Sequence, residues 1–301
     1  MAIFRLEARI LSRAKTGRSV VAAAAYRAGM KLRDAGRDQV FDYGRRLRGV
    51  LATQILAPEG APGWVFEPQS LWNHVERSEK RRDSQVARDF VLALPKELSA
   101  AEQFQLAVDW ARKELVASGM VAHVCLHMPK DGKNPHAHIL CPLRTLDGDQ
   151  FSAKKPREWN DVKMLIHQRQ SWCEAENSAL EKAGRPERVD HRSLKDRGID
   201  RIPEPKIGVA ATAMKKRGAV IDPERFKLVR RVRMLNELRP MMRSMCERGE
   251  MPTWETTSNW LQKSTVVVSQ VIERAREMMK GAWERFIGER SKDRTPLDVE
   301  R

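Results

Sequence analysis

Three of the chain's seven histidines, His127, His136 and His138, lie in the short stretch HMPKDGKNPHAHIL. Imidazole is the commonest metal ligand among side chains. His136 and His138 are separated by one residue in an apolar run, so on a strand both project from the same face. If the preceding run VAHVCLHM pairs with that strand, His127 comes to lie beside His136. The pattern predicts three neutral imidazoles around one divalent cation, with open positions for water or substrate oxygens.

The histidines alone leave the reaction open. A zinc hydrolase would satisfy the same arrangement. A single histidine in a strand is usually a half-buried polar residue, which is our interpretation of His74, His123 and His167. The third histidine at hairpin distance, in a basic chain, favours the metal site over that structural interpretation.

Tyr26 is one of only two tyrosines, and it stands in the alanine-rich segment VVAAAAYRAG. Core packing is the structural interpretation. A phenol with a pKa of about 10 is a poor nucleophile at neutral pH unless a cation or base favours the phenolate. A cation that binds a phosphodiester would also stabilise the charge that develops in the transition state. Tyrosine, metal and basic surface together indicate attack on a nucleic-acid backbone.

Strands and helices alternate around these residues. Residues 3–11 alternate apolar and charged positions, as a half-buried strand does. Ser19 can cap a helix that carries Tyr26 and ends at Gly29. Asp131 and Gly132 indicate a tight turn between the two histidine-bearing strands. Further strands are predicted over 50–56 and 86–95, and further helices over 69–82, from the Ser99/Glu102 capping box to Gly119, and from Arg157 to Gly184.

After residue 221 the pattern changes to long helices with methionine-rich apolar faces, broken near Pro240. We therefore predict two domains. Residues 1–221 form an α+β sandwich that carries the chemistry, and residues 222–301 form a helical region for DNA or protein interaction.

Composition narrows the partners and the compartment. The formal net charge is +16 and the pI is near 10.0, which favours a polyanion such as nucleic acid. Four cysteines without a C-x-x-C pair indicate neither a disulfide framework nor a zinc ribbon, so a reducing cytoplasm fits best. No apolar stretch approaches the roughly 20 residues that span a bilayer, and we expect neither a signal peptide nor membrane insertion.

Several separated motifs resemble plasmid relaxases of the MobA/MobL type, within the HUH endonucleases. They are SVVAAAAYRAG, FDYGRRLRGV, ARDFVLALPKEL, the H-x8-HAH pattern and DHRSLKDRGIDRIP, in that order over roughly residues 1–210. The resemblance implies an antiparallel-sheet relaxase domain of the RRM or ferredoxin-like kind, with the helical region as an extension. It also implies nicking of one strand at a plasmid origin of transfer, which leaves the 5′ phosphate on tyrosine and a free 3′ hydroxyl.

The resemblance also assigns roles to individual residues. Tyr26 would be the nucleophile, and His127, His136 and His138 would be the ligands of a divalent ion, with Mg²⁺ or Mn²⁺ favoured and Zn²⁺ or another transition metal as the alternative. Asp89 would orient a metal-bound histidine, although such proteins commonly have Glu there. Expected phosphate contacts are Arg45, Arg46, Arg48, Lys154, Lys155 and Arg157.

Expected partners follow from the same resemblance. They are origin DNA that is single-stranded around the nick, an accessory mobilisation protein, and a type IV coupling protein with its secretion system. The relaxase would act in the donor cytoplasm and travel with the transferred strand. No G-x-x-x-x-G-K-[ST] motif is present, so a motor must come from a partner.

Besides the metallohydrolase named above, two other functions remain open. HUH replication initiators and transposases usually carry the tyrosine after the His-x-His motif, whereas Tyr26 precedes it, so the order of residues favours the relaxase. A nonenzymatic basic DNA-binding protein with a structural metal would share the histidines and the charge. It would form no covalent adduct with DNA.

Overall fold

The computed structural model describes residues 3–13, 19–129, 131–208, 214, 218 and 223–248. The chain divides into two compact units, Met1–His191 and Arg192–Arg301. The domain boundary that the sequence predicts between residues 221 and 222 lies outside the described residues, as does everything beyond residue 248. Within the described part, no helix combines the length and apolarity needed to cross a bilayer.

A five-stranded antiparallel sheet organises the first unit. The strands of the main sheet and of two small hairpins are, in chain order, β1 (Leu6–Ser12), β2 (Lys31–Asp34), β3 (Gln39–Asp42), β4 (Val50–Leu56), β5 (Gln85–Ala93), β6 (Ala122–His127), β7 (His136–Pro142), β8 (Leu146–Asp147) and β9 (Gln150–Phe151). Their order in the sheet is β1-β5-β7-β6-β4, while β2 with β3 and β8 with β9 form separate hairpins. The predicted α+β class with an antiparallel sheet is confirmed.

Helices cover both faces of the sheet. They are α1 (Val20–Ala28), α2 (Pro68–Ser78), α3 (Ala100–Trp110, continued as a π-helix over Ala111–Val116) and α4 (Val162–Lys182). The predicted capping box is present, because Ser99 accepts from the backbone of Glu102 and Glu102 accepts from that of Ser99. Short 3-10 segments span Gly44–Gly49, Gly63–Phe66 and Glu158–Asn160.

The larger hydrophobic core lies between one sheet face and α3 and α4. Phe90 of β5 packs there with Trp110 and Trp172, whose rings meet edge to face with centroids 5.6 Å apart. Burial of such aromatic surface stabilises this layer. Glu176 of α4 is fully buried beside this core, and burial raises its pKa to about 9.

A smaller core lies on the opposite face, where α1 and α2 pack against the sheet. Its central side chain is Trp72, whose Nε1 donates to Nδ1 of the buried His123 at 3.1 Å. Thr53 contacts the other ring nitrogen at 2.7 Å. His123 is therefore a satisfied core histidine, as its structural interpretation predicts, although it is fully rather than half buried.

The second unit contains α5 (Pro223–Glu247). Asn236 fixes this helix to the preceding chain, because its side chain accepts from the Ile202 backbone N–H at 2.7 Å and donates to the Ile202 carbonyl at 2.9 Å. The helix continues through Pro240, so the predicted break there is wrong. Proline removes only one helical hydrogen bond, and the apolar face continues past it from Leu238 to Met245, both buried.

Candidate metal centre

The three histidines meet on one face of the β6–β7 hairpin. The register places His127 opposite His136, and Cys125 opposite His138. The ring centroids lie 5.2, 4.9 and 5.4 Å apart, and one ligand nitrogen from each residue lies within 4.8 Å of the others. The predicted pairing of the strands is thereby confirmed. Three side chains at this spacing can hold one divalent cation.

In each of the three rings, one nitrogen is hydrogen-bonded to a protein oxygen, and the other nitrogen is left to bind a metal. His136 Nδ1 lies 2.8 Å from the Asn134 carbonyl oxygen, and His127 Nε2 lies 2.6 Å from that of Arg27. A carbonyl oxygen only accepts, so these two nitrogens carry the protons. His138 Nδ1 contacts Asp89 Oδ1 at 3.2 Å in the same way. The lone pair of each ring then belongs to its second nitrogen, as metal ligation requires.

Burial favours the neutral form of two of the three histidines, His127 and His136. Desolvation, helped by the neighbouring His138, lowers the pKa of His127 to about 4. Desolvation also lowers the pKa of His136. Because neutral imidazole is the form that binds metals, these two ring environments fit a cation at neutral pH.

Asp89 lies on β5 under the histidines and is almost completely buried. Burial alone would raise its pKa, but hydrogen bonds from Arg27 and His138 outweigh that effect and hold the pKa at about 2. Arg27 binds both carboxylate oxygens at 2.8 Å, through Nε and Nη2. The carboxylate is therefore ionised, and Arg27 holds both of its oxygens beside the ring of His138.

Tyr26 lies in the last turn of α1. Ser19 caps the start of this helix, and Gly29 ends it in the left-handed conformation with φ 64°, as the sequence predicts. The Tyr26 side chain is 37% exposed, so it is not a core residue. Its ring meets that of Tyr43 edge to face, with centroids 5.4 Å apart. The next residue, Arg27, contacts both His127 and Asp89, which places the end of α1 against the histidine cluster.

The predicted phosphate contacts fall into two groups. The first follows Tyr43 in the 3-10 segment Gly44–Gly49, where Arg45 is exposed; the side chains of Arg46 and Arg48 are outside the described part of the structure. This segment leads directly to the cluster, because Met128 N–H donates to the Gly49 carbonyl at 2.8 Å and Val50 pairs with His127.

The second group lies at the other end of the sheet. Lys154 and Arg157 are exposed, whereas Lys155 forms an ion pair of 2.8 Å with the buried Glu79. Lys155 also contacts the carbonyl of Gln85, which begins β5 six residues before the position facing His138. At about 3.3 Å per residue this separation is roughly 20 Å. Lys155 therefore borders a different part of the surface from the histidines.

Two residues of the site have no counterpart in the sequence analysis. Asn134 contributes only a backbone carbonyl, which no side-chain pattern can reveal. Arg27 is 62 residues from Asp89 and 100 from His127 in the chain. Its only local signal is its position directly after Tyr26.

Fold and site together define an α+β protein in which three partly exposed histidines on one sheet face could hold a metal. The chain belongs to the MobA/MobL family, whose model matches residues 18–217. It is 31% identical over 280 residues to a "Probable mobilization protein MobA" of Bifidobacterium longum, which covers 79% of this chain and 48% of that protein. It is 34% identical over 249 residues to a "Mobilization protein MobL" of Acidithiobacillus ferridurans, covering 72% of this chain and 65% of that one.

Among solved structures, the chain resembles one described as "Molecular Basis of Vancomycin Resistance Transfer in Staphylococcus aureus". The TM-score is 0.60 at 30% identity, and the match covers 64% of this chain and all of the other. The chain spans about half of the MobA relative, about a quarter of a TraA relative from Rhizobium radiobacter and about two thirds of the MobL relative.

Proposed function

We propose that this chain is a mobilisation relaxase that nicks one strand of an origin of transfer by transesterification to Tyr26. The observation that carries the proposal is the contact between α1 and the histidine cluster. Arg27, the neighbour of Tyr26, holds Asp89 and accepts a hydrogen bond from His127. Membership of the MobA/MobL family supports the same conclusion.

A divalent cation held by His127, His136 and His138 would supply Lewis-acid polarisation of the scissile phosphodiester. Three nitrogen donors suit a transition metal better than Mg²⁺, so of the two ions expected from the sequence Mn²⁺ is the better fit, with Zn²⁺ as the alternative. Asp89 keeps His138 in the tautomer whose Nε2 carries the lone pair. Tyr26 Oη attacks phosphorus and gives up its proton, the bond from phosphorus to the 3′ oxygen breaks, and that oxygen takes up one proton to leave as a hydroxyl. The net reaction therefore exchanges the phenol O–H for the 3′ O–H and needs no other reactant. The 5′ phosphate stays on Tyr26, and the reverse reaction rejoins the strand without ATP.

The proposed substrate is DNA that is single-stranded around the nick. The high positive charge and the exposed Arg45 beside the cluster support a polyanionic substrate. An accessory mobilisation protein, a coupling protein and a type IV secretion system are the proposed partners in the donor cytoplasm. The relatives' names, "mobilization protein" and "conjugal transfer protein", agree with such a role.

The first prediction tests the nucleophile. A supercoiled plasmid carrying the DNA that flanks this reading frame is incubated with the protein and Mn²⁺, and a detergent-stable protein–DNA adduct is measured. We expect Tyr26→Phe to reduce adduct formation by at least about 10³-fold, because covalent capture needs the phenol oxygen. Tyr43→Phe is the matched control, since its ring contacts that of Tyr26, and it should form the adduct.

The other functions give other results. A metallohydrolase would still cut with Phe at position 26 and would leave no protein-linked end. Binding that is sensitive to salt but yields no adduct with the unaltered chain would indicate a nonenzymatic DNA-binding protein. Either result would contradict the proposed function.

A further inference from the structure

Arg27 connects the helix that bears Tyr26 to two different strands of the sheet. Its Nε and Nη2 donate to the two oxygens of Asp89 on β5, each at 2.8 Å. Its backbone carbonyl accepts from Nε2 of His127 on β6 at 2.6 Å. Its remaining terminal nitrogen, Nη1, donates to the Ala23 carbonyl at 2.8 Å, one helical turn back. One residue thus contacts a candidate metal ligand directly and a second one, His138, through Asp89.

This geometry differs from that of a DNA-binding arginine. The side chains of Arg27 and Asp89 are only 12% and 2% exposed. Each of the three guanidinium nitrogens of Arg27 already donates to a protein oxygen. The paired contact fixes the plane of the carboxylate, because two parallel N–H···O bonds define its orientation. Oδ1, which accepts from Arg27 Nε, is also the oxygen that contacts His138 Nδ1.

We propose that Arg27 is a positioning residue of the metal centre. Its side chain holds Asp89, and through Asp89 the ring of His138, in the orientation for ligation, while its carbonyl holds the ring of His127. The same contacts fix the end of α1, and therefore Tyr26, relative to the metal. The proposal rests on the proposed function, since it assigns Arg27 a role at that same site.

The experiment measures Mn²⁺ affinity by titration calorimetry without DNA. Arg27→Lys keeps the charge but loses the paired contact, and Arg27→Gln loses both. We expect each to bind Mn²⁺ about 10-fold more weakly. Asp89→Asn should weaken Mn²⁺ binding by about 10- to 100-fold. The double variant Arg27→Gln/Asp89→Asn should bind Mn²⁺ no more weakly than Asp89→Asn alone, because Arg27 acts through that carboxylate. The double variant leaves no unpaired buried charge, so it also guards against loss of folding in the single variants.

Arg77, exposed in the last turn of α2, provides the control, and Arg77→Gln should leave Mn²⁺ affinity unchanged. Losses of affinity that add in the double variant would overturn the proposal, as would unchanged Mn²⁺ affinity in Arg27→Lys. DNA binding without metal gives a second readout. If Arg27→Gln lowered the slope of log DNA affinity against log salt concentration by about 0.7, Arg27 would be a phosphate contact. That result would also overturn its proposed positioning role.

These results are separate from those that test Tyr26. If Tyr26→Phe still cut DNA, the proposed reaction would fail while the Mn²⁺ measurements could still support the role of Arg27. If the adduct formed as expected but Arg27→Lys bound Mn²⁺ normally, only the role of Arg27 would be wrong. A wild-type chain that bound no Mn²⁺ would contradict both.

Discussion

Burial has opposite effects on the two kinds of ionisable group at the candidate centre. It lowers the pKa of His127 to about 4, which suits a metal ligand. The same burial opposes ionisation of Asp89, whose negative charge is needed to orient His138. The contacts from Arg27 resolve this conflict, because they hold the pKa of Asp89 at about 2. A neutral imidazole and an ionised carboxylate can therefore coexist in one largely buried cluster.

A second prediction concerns the acid stability of this arrangement. The folded-state pKa of Asp89 is lowered, so its contribution to stability is complete above about pH 4 and is lost as the pH falls to about 2. The shift corresponds to about 2 kcal/mol. Urea unfolding of wild type and Asp89→Asn, with chelator present, should show their difference in unfolding free energy falling by that amount between pH 5 and pH 2. Parallel pH curves would mean that the carboxylate contributes no such linkage.

Side-chain pattern predicts the parts of the site that lie close together in sequence. His136 and His138 follow from strand alternation, and His127 follows from the hairpin. The paired hydrogen bonds from Arg27 to Asp89 could not be predicted. Arg27 stands on a short alanine-rich helix, where an arginine is typically exposed to solvent. Only the packing of α1 on the sheet turns this side chain towards a carboxylate 62 residues away.

At the scale of elements, capping residues and turn signals gave the most accurate predictions. The Ser19 cap, the left-handed Gly29 and the Ser99/Glu102 box all occur where the sequence predicts them. Their signals are local hydrogen bonds and backbone angles, which neighbouring residues determine. The continuation of α5 through Pro240 was missed, because a sequence pattern does not show that Leu238 and Met245, on either side of the proline, are both buried.

The third prediction belongs to the layer formed by α3 and α4. Burial raises the pKa of Glu176 to about 9, so its contribution to stability is complete below about pH 4.5 and is lost as the pH rises towards 9. We expect Glu176→Gln to remove this loss. The unfolding free energy of the variant, relative to that of wild type, should therefore rise by about 3 kcal/mol from pH 5 to pH 7. Denaturant unfolding of both proteins at pH 5 and pH 7 measures this difference in unfolding free energy. Glu174→Gln, exposed on the same helix, is the control and should follow the wild-type curve.

At the scale of the whole molecule, the net charge of +16 does not by itself locate a DNA surface. The first group of predicted contacts precedes β4 and reaches the histidine cluster through Val50 and Met128. Lys155 of the second group contacts the start of β5, roughly 20 Å along that strand from the position facing His138. There Glu79 is buried between Lys155 and Arg144, so part of the positive charge stabilises the fold. The formal net charge therefore overstates the number of positively charged side chains that can contact phosphates.

The fourth prediction separates these two uses of charge. Affinity for a (dT)20 oligonucleotide is measured by anisotropy across salt concentrations, since each phosphate contact on single-stranded DNA adds about 0.7 to the logarithmic slope. Replacing Arg45, Arg46 and Arg48 together by Ala should lower the slope by about 2. Lys155→Ala should leave the slope unchanged and instead lower the unfolding free energy, because it removes a partner of buried Glu79. Arg112→Ala, exposed on the π-helical continuation of α3, controls for net charge alone. If it lowered the slope as much per residue as the arginine segment does, binding would depend on overall charge, and the 3-10 segment before β4 would lose its assigned role.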